Sequence, residues 1–176
     1  MYKKALFLDR DGVINIDHGY VYKQNNFDFV DGIFTLTKEA YKKGYKIFVV
    51  TNQSGIARGY YSEKNFLSLT SWMLEVFSKK NAPITKVYYC PNHPDGKGRY
   101  KKLDNRRKPN PGMLTEAKIE FDLNLSESLM VGDNESDIEA GISAGVGTNI
   151  LFTQNISNSH LRCKKVLKLI DVVNYL

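Results

Sequence analysis

Residues 5–12 read Ala-Leu-Phe-Leu-Asp-Arg-Asp-Gly, and this stretch decides the fold. Four apolar residues in a row are a short strand buried on both faces, which Asp9, Asp11 and Gly12 end at once. Similar runs at 46–50, 86–89, 128–131 and 149–152 predict four more buried strands. Amphipathic stretches between them predict helices over 33–43, 62–79, 111–121 and 135–144, with a closing helix over 164–175. Ser62 is placed to cap the second helix, Pro111 opens the third, and Gly44 and Gly145 follow the first and fourth. Strands alternating with helices imply an α/β fold, a three-layer Rossmann-like parallel sheet with helices on both faces. Ligands of such sheets bind beyond the carboxyl ends of the strands.

The chain has 176 residues, 42% hydrophobic and 25% charged, which is one domain's length with enough apolar material for a core. No apolar run nears the roughly 20 residues of a membrane span, and the first is too short for a secretion signal. A soluble, cytoplasmic protein without membrane contact is therefore expected. Cys90 and Cys163, far apart in sequence, fit two free thiols in a reducing compartment. The net charge of +6, from 25 Lys and Arg against 19 Asp and Glu, points to an anionic partner.

Four clusters fall at the predicted strand and helix ends. Asp9 and Asp11 follow the first strand, Thr51 and Asn52 the second, and Asp133 and Asp137 the fourth, while Arg107 and Lys108 precede the third helix. Carboxylates converging on one sheet edge repel by about 4 kcal/mol per pair at 4 Å in a partly shielded site. A hard divalent cation with oxygen ligands relieves this, and Mg²⁺ leaves room for substrate phosphate. Lys108 adds a fixed positive charge, and Thr51 can donate to phosphoryl oxygens. This is the logic of a phosphoryl-transfer site, with one carboxylate as nucleophile and a second, two residues on, as general acid and base. Taken singly each cluster has a plainer reading: Asp-x-Asp caps loops and helices, Asp133 and Asp137 can begin a helix, and Lys108 can be a solvated lysine. Their joint occurrence in this order outweighs those readings.

The motifs D-R-D-G-V, T-N-Q-S-G, R-K-P-N-P-G-M and V-G-D-N-E-S-D resemble those of the haloacid dehalogenase superfamily of aspartate-dependent phosphotransferases. With H-G-Y-V-Y, T-N-Q-S-G-I-A-R-G and Y-Y-C-P-N-H-P, the resemblance narrows to its heptose-bisphosphate and histidinol-phosphate phosphatase branch. It implies Asp9 as nucleophile, Asp11 as general acid and base, and Mg²⁺ on Asp9, the Asp11 backbone carbonyl and Asp133. It further implies that Thr51 and Lys108 steady the phosphoryl group. Asp17, His18, Gly19, Tyr20, Asn52, Gln53, Ser54 and Arg107 would contact the substrate, with Asp137 and Asn134 behind the metal. Position 134, commonly lysine in the heptose enzymes, is Asn134 here. The implied activity is removal of the 7-phosphate of a heptose 1,7-bisphosphate, in nucleotide-heptose biosynthesis for lipopolysaccharide or surface glycans.

The spacing leaves no room for a cap domain, so residues 1–176 are expected to form a single domain with a hairpin-like flap around 13–22. The relatives' zinc site, a Cys-x-His pair and a later Cys-x-Cys pair, is broken: Cys90 remains, but Asn92, Asp104 and Arg106 stand at the other positions. Arginine is no zinc ligand, and Cys90, His93 and Asp104 make only three, so zinc is expected to be absent. The segment 91–108 is instead basic, with Lys101, Lys102 and Arg106 as candidates for the distal phosphate of a bisphosphate. A monomer acting on a small phosphorylated sugar is expected, with no nucleic-acid partner. Rivals are histidinol-phosphate or other sugar-phosphate hydrolysis, a nucleic-acid 3′-phosphatase, and a non-catalytic phosphosugar binder.

Overall fold

Six strands, all parallel, run in the order β3-β2-β1-β4-β5-β6 through a computed structural model that describes residues 3–154 and 161–176. They are β1 (Ala5–Leu8), β2 (Lys46–Asn52), β3 (Lys86–Cys90), β4 (Leu129–Gly132), β5 (Thr148–Phe152) and β6 (Lys164–Val166). The helices are α1 (Ile33–Lys42), α2 (Ser54–Arg58), α3 (Glu63–Lys79), α4 (Gly112–Phe121) and α5 (Glu135–Ala144). Strand alternation sorts the core into two layers. Leu6, Leu8, Val49 and Val131 pack with Leu36 of α1, Met73 and Phe77 of α3, and the C-terminal residues Leu169 and Val172. Ala5, Phe7, Val50 and Met130 face Met113, Leu114 and Ala117 of α4 and Ala140 of α5. This is the expected three-layer arrangement. Ser62 caps α3 in a reciprocal capping box with Asn65.

Two elements depart from expectation. The closing helix over 164–175 is instead β6 followed by a 3₁₀ segment, Leu169–Tyr175. The β5 edge offers unpaired backbone groups, and Lys164–Val166 takes them in register with Ile150–Phe152. Val166, Leu169 and Val172 bury against the first layer, which rewards this path over a β-branched helix. The other departure is α2, five residues long and too short to leave a periodic pattern.

The segment expected as a flap is pinned to the core. Val13, Ile14 and Val21 are buried; the Ile14 carbonyl accepts the Val30 N–H and the Ile16 N–H donates to the Asp28 carbonyl. Its exposed part is the short turn at 16–20. Among the described residues no helix is long and apolar enough to cross a membrane. The chain leaves β1 to build β2 and β3 on one side, then returns to lay β4 on the other. That reversal puts the mouth of the sheet between the carboxyl ends of β1 and β4.

Candidate active site

Asp9 is the first residue beyond β1 and Asp133 the first beyond β4, and the Asp9 N–H still donates to Val131 at 3.0 Å. Lys108 lies between them, 3% exposed. Its ammonium reaches Asp9 Oδ1 at 2.8 Å, Asp137 Oδ1 at 2.6 Å and the Val50 carbonyl at 2.7 Å, using all three of its protons. Asn52 fixes the Lys108 backbone from both sides: Oδ1 accepts its N–H and Nδ2 donates to its carbonyl, each at 3.0 Å. Asp137 Oδ2 accepts the Asn134 N–H at 3.1 Å, and Asn134 Nδ2 donates to Asp133 Oδ1 at 3.0 Å.

The carboxylates crowd as the sequence implied. Asp9, Asp133 and Asp137 each offer an oxygen within 4.8 Å of the others. Burial raises the Asp9 carboxyl to about 8; Lys108 opposes the rise, while Asp137 and Asp133 add to it. Asp133 is pushed up to about 6 by burial and the Asp137 charge. Burial alone would discharge Lys108, but the two carboxylates it touches keep it protonated. One ammonium against three acidic groups leaves negative charge uncompensated, and the oxygen-only donor set fits Mg²⁺. Asp137 has both oxygens engaged, Oδ1 by Lys108 and Oδ2 by the Asn134 N–H, whereas Lys108 meets Asp9 and Asn134 meets Asp133 through Oδ1, so the second oxygen of each could hold an ion. Gly12 makes their approach possible: at φ +90°, a Cβ there would lie 2.2 Å from Asp133 Oδ2.

Asp11 has a separate environment. Its Oδ1 accepts from Arg10 at 2.6 Å and Asn15 at 3.0 Å, and its Oδ2 from Gln53 Nε2 at 3.0 Å. Gln53, expected to contact substrate, is buried, and its side chain bridges Asp11, Thr51 and the Tyr61 hydroxyl instead. Arg10, Asn15 and Tyr61 are partners of Asp11 and Gln53 that sequence reasoning passed over. Arg10 is 1% exposed, clamps Asp11 and also donates to the Val21 carbonyl at 2.7 Å. Its only signal was an arginine between two aspartates.

A cavity of about 380 Å³ opens over this centre, lined by Asp9, Asp11, Asp17, Gly19, Tyr20, Thr51, Asn52, Ser54, Lys108, Asn134 and Asp137, among others. His18 is not part of that lining; it is exposed and turns to Asp28 at 2.8 Å. Arg107 stands half-buried outside the same lining. In segment 91–108 the Asn92 amide donates to Asp104 Oδ2, whose other oxygen takes the Arg106 N–H at 2.8 Å. Cys90 Sγ lies 3.8 Å from the Asn92 carbonyl. These hydrogen bonds span the positions to which the resemblance assigns zinc ligands.

A family model described as polynucleotide kinase 3 phosphatase matches residues 6–166. The chain belongs to that family. It is thus a haloacid dehalogenase-like phosphatase, a phosphoric monoester hydrolase. It is 58% identical over 153 residues to D-glycero-alpha-D-manno-heptose-1,7-bisphosphate 7-phosphatase of Burkholderia mallei, covering 86% of this chain and 81% of that one. A relative in Haemophilus influenzae, named for the beta anomer of the same substrate, is 49% identical and covers 84% and 80%. The crystal structure of D,D-heptose 1,7-bisphosphate phosphatase from B. bronchiseptica, complexed with magnesium and phosphate, has a like fold. Its TM-score is 0.85 at 24% identity, covering 97% of this chain and 96% of that one.

Proposed function

We propose that this phosphatase is Mg²⁺-dependent and removes the 7-phosphate of D-glycero-D-manno-heptose 1,7-bisphosphate through an aspartyl-phosphate. The observation that carries the chemistry is Lys108 held between Asp9 and Asp137 while Asp11, two residues from Asp9, is anchored separately. The substrate follows from the relatives named for it. Asp9 attacks phosphorus, the bond from phosphorus to the C7 oxygen breaks, and Asp11 delivers a proton to the departing alkoxide. Asp11 Oδ2 takes one bond from Gln53, which leaves a lone pair for that proton. In the second half-reaction Asp11 takes a proton from water, the water oxygen bonds to phosphorus, and Asp9 is released with inorganic phosphate. Thr51 and Lys108 face the transferring group, and Arg107 assists substrate recognition. Asp9, the Asp11 backbone carbonyl and Asp133 would hold Mg²⁺, which when bound would supply positive charge against the phosphoryl oxygens.

The chain acts as a single capless domain, a cytoplasmic monomer without zinc, in nucleotide-heptose biosynthesis. A nucleic-acid 3′-phosphatase is the second reading, because the family model carries that description. The test is phosphate release with Mg²⁺ from both heptose 1,7-bisphosphate anomers, histidinol phosphate, fructose 1,6-bisphosphate and a 3′-phosphorylated oligonucleotide. One heptose bisphosphate should give the highest kcat/KM, and Asp9→Asn should abolish turnover of a folded protein. A higher kcat/KM on the oligonucleotide or on histidinol phosphate would overturn the reading.

A further inference from the structure

The wall of the catalytic cavity draws on two segments remote in sequence. Asp17, Gly19 and Tyr20 come from the turn beyond β1, and Ser54, Gly55 and Tyr61 from α2 and the residues just after it. Two pairs of tyrosines join these segments. The Tyr20 ring meets the Tyr60 ring edge to face, with centroids 4.6 Å apart and planes at 71°, and Tyr22 stacks on Tyr61 at 5.1 Å and 14°. Tyr61 is buried and its hydroxyl donates to Gln53. Tyr60 is not part of the cavity lining, but it is fixed from behind. Gly59, at φ +80°, ends α2, and the Tyr60 N–H then donates to the Gly55 carbonyl at 2.9 Å. α2 itself lies tight on Tyr61, since a Cβ at Gly55 would come within 2.2 Å of that ring.

Tyr20 needs such a support. Its φ of +52° is left-handed, a costly conformation for a bulky side chain, and it follows Gly19 at φ +78°. Within the turn the Gly19 N–H donates to Asp17 Oδ1 at 2.8 Å, and the Ile16 N–H and His18 tie the outer part to Asp28. On the inner side Arg10 donates to the Val21 carbonyl at 2.7 Å, and Tyr61 holds Tyr22. None of these contacts sets the direction of the Tyr20 ring. Tyr20 is 45% exposed and Tyr60 55%, so neither ring is gripped by the core and each covers part of the other.

We propose that Tyr60 is a positioning residue for the reaction. By holding the ring of Tyr20 it keeps Asp17, Gly19 and Tyr20 in their cavity-lining arrangement before substrate arrives, so binding need not meet the cost of ordering the turn. This rests on the heptose-bisphosphate reading, because the turn bears on the sugar rather than on the transferring phosphoryl group. An edge-to-face ring pair shifts the population of the arrangement it supports by about twofold to 10-fold, and apparent affinity falls with the competent fraction.

The test compares Tyr60→Ala with Tyr60→Phe, which keeps the ring and removes only the hydroxyl. Tyr60→Ala should raise KM for heptose 1,7-bisphosphate by about 3-fold to 10-fold with kcat little changed, whereas Tyr60→Phe should match wild type. Acetyl phosphate, a phosphoryl donor with no sugar, should be hydrolysed by both variants at a kcat/KM within about twofold of wild type. A readout without substrate accompanies the kinetics: hydrogen exchange across 17–20 should quicken in Tyr60→Ala and not in Tyr60→Phe. Unchanged exchange in Tyr60→Ala, equal losses on the two phosphates, or a Tyr60→Phe variant as impaired as Tyr60→Ala would overturn the assignment and leave the 7-phosphatase reading standing. Wild-type protein active on acetyl phosphate but inactive on heptose 1,7-bisphosphate would overturn that reading, and the exchange measurement would still decide whether Tyr60 holds the turn.

Discussion

Replacing Lys108 by Met removes the one ammonium that the acidic centre shares, while keeping an unbranched stem of similar length. At 3% exposure, Lys108 and the carboxylates that it touches are largely withdrawn from water. Two close ion pairs, at 2.8 Å to Asp9 and 2.6 Å to Asp137, are lost, and the Val50 carbonyl loses its donor. Breaking a buried pair from one side costs about 3–5 kcal/mol, because the remaining charge is stranded. The carbonyl adds about 1 kcal/mol or more, and partial protonation of Asp9, already raised by burial, gives some relief. The net expectation without metal is a loss of about 3–5 kcal/mol at pH 7, or about 10 °C in Tm for a chain of this size.

The decisive arm is the double variant. Lys108→Met with Asp137→Asn removes a stranded charge together with its partner and preserves an oxygen to accept the Asn134 N–H. It should be more stable than Lys108→Met alone, with a coupling of about 2 kcal/mol in the cycle. Urea unfolding reports this through Trp72, the single tryptophan, which sits against Phe27 and Phe29. Turnover should fall at least about 10²-fold to 10³-fold in both variants, since phosphoryl charge loses its fixed partner. A loss below about 1 kcal/mol in the single variant, or a double variant no more stable than the single, would refute the shared-ammonium account.

Three further outcomes rest on the same packing. Gly12→Ala forces a Cβ to within 2.2 Å of Asp133 Oδ2 at φ +90°, and should cost about 1–3 kcal/mol and more than about 10²-fold in kcat/KM; near wild-type kinetics would contradict the packing. Asp133→Asn should abolish the rise in Tm on adding Mg²⁺ without lowering the metal-free Tm, because it removes a carboxylate that its neighbours repel; an undiminished Mg²⁺ response would move the ion elsewhere. Burial pushes the Cys90 thiol up to about 11, so at pH 8 roughly one in 10³ is thiolate, and iodoacetamide should label Cys163 well before Cys90 in folded protein. Rapid labelling of Cys90, followed by mass spectrometry of peptides, would contradict that burial.

Strand ends were readable because an apolar run that stops at a charged residue has few alternatives: burial demands the strand, and desolvation forbids the charge inside it. Asp9 and Asp133 therefore fall just beyond β1 and β4, while β2 runs two residues past its expected end and carries Thr51 and Asn52 within the strand. What lay beyond reach were partners chosen by tertiary packing. Nothing local says that Arg10 turns inward to hold Asp11, that Gln53 joins Thr51 to Tyr61, or that His18 leaves the cavity for Asp28. The edge strand β6 was missed for a related reason. Three residues carry no periodicity, and their strand conformation comes from the open backbone of β5.

Asp137 shows why the plain and the functional readings of a residue need not compete. A carboxylate three residues into a helix entry is a helix-capping feature, and one near a buried lysine is a counter-ion. In the structure, Oδ2 accepts the Asn134 N–H at the start of α5 while Oδ1 meets Lys108 at 2.6 Å. The helix start thereby fixes the position of the charge, and Asn52 fixes the Lys108 backbone from the end of β2. Lys108 is thus held at its backbone by one element and at its ammonium by two others. In the proposed reaction a phosphoryl group arriving there would meet a cation that has little freedom left to lose, which is the condition under which electrostatic stabilisation acts on the transition state without reorganisation.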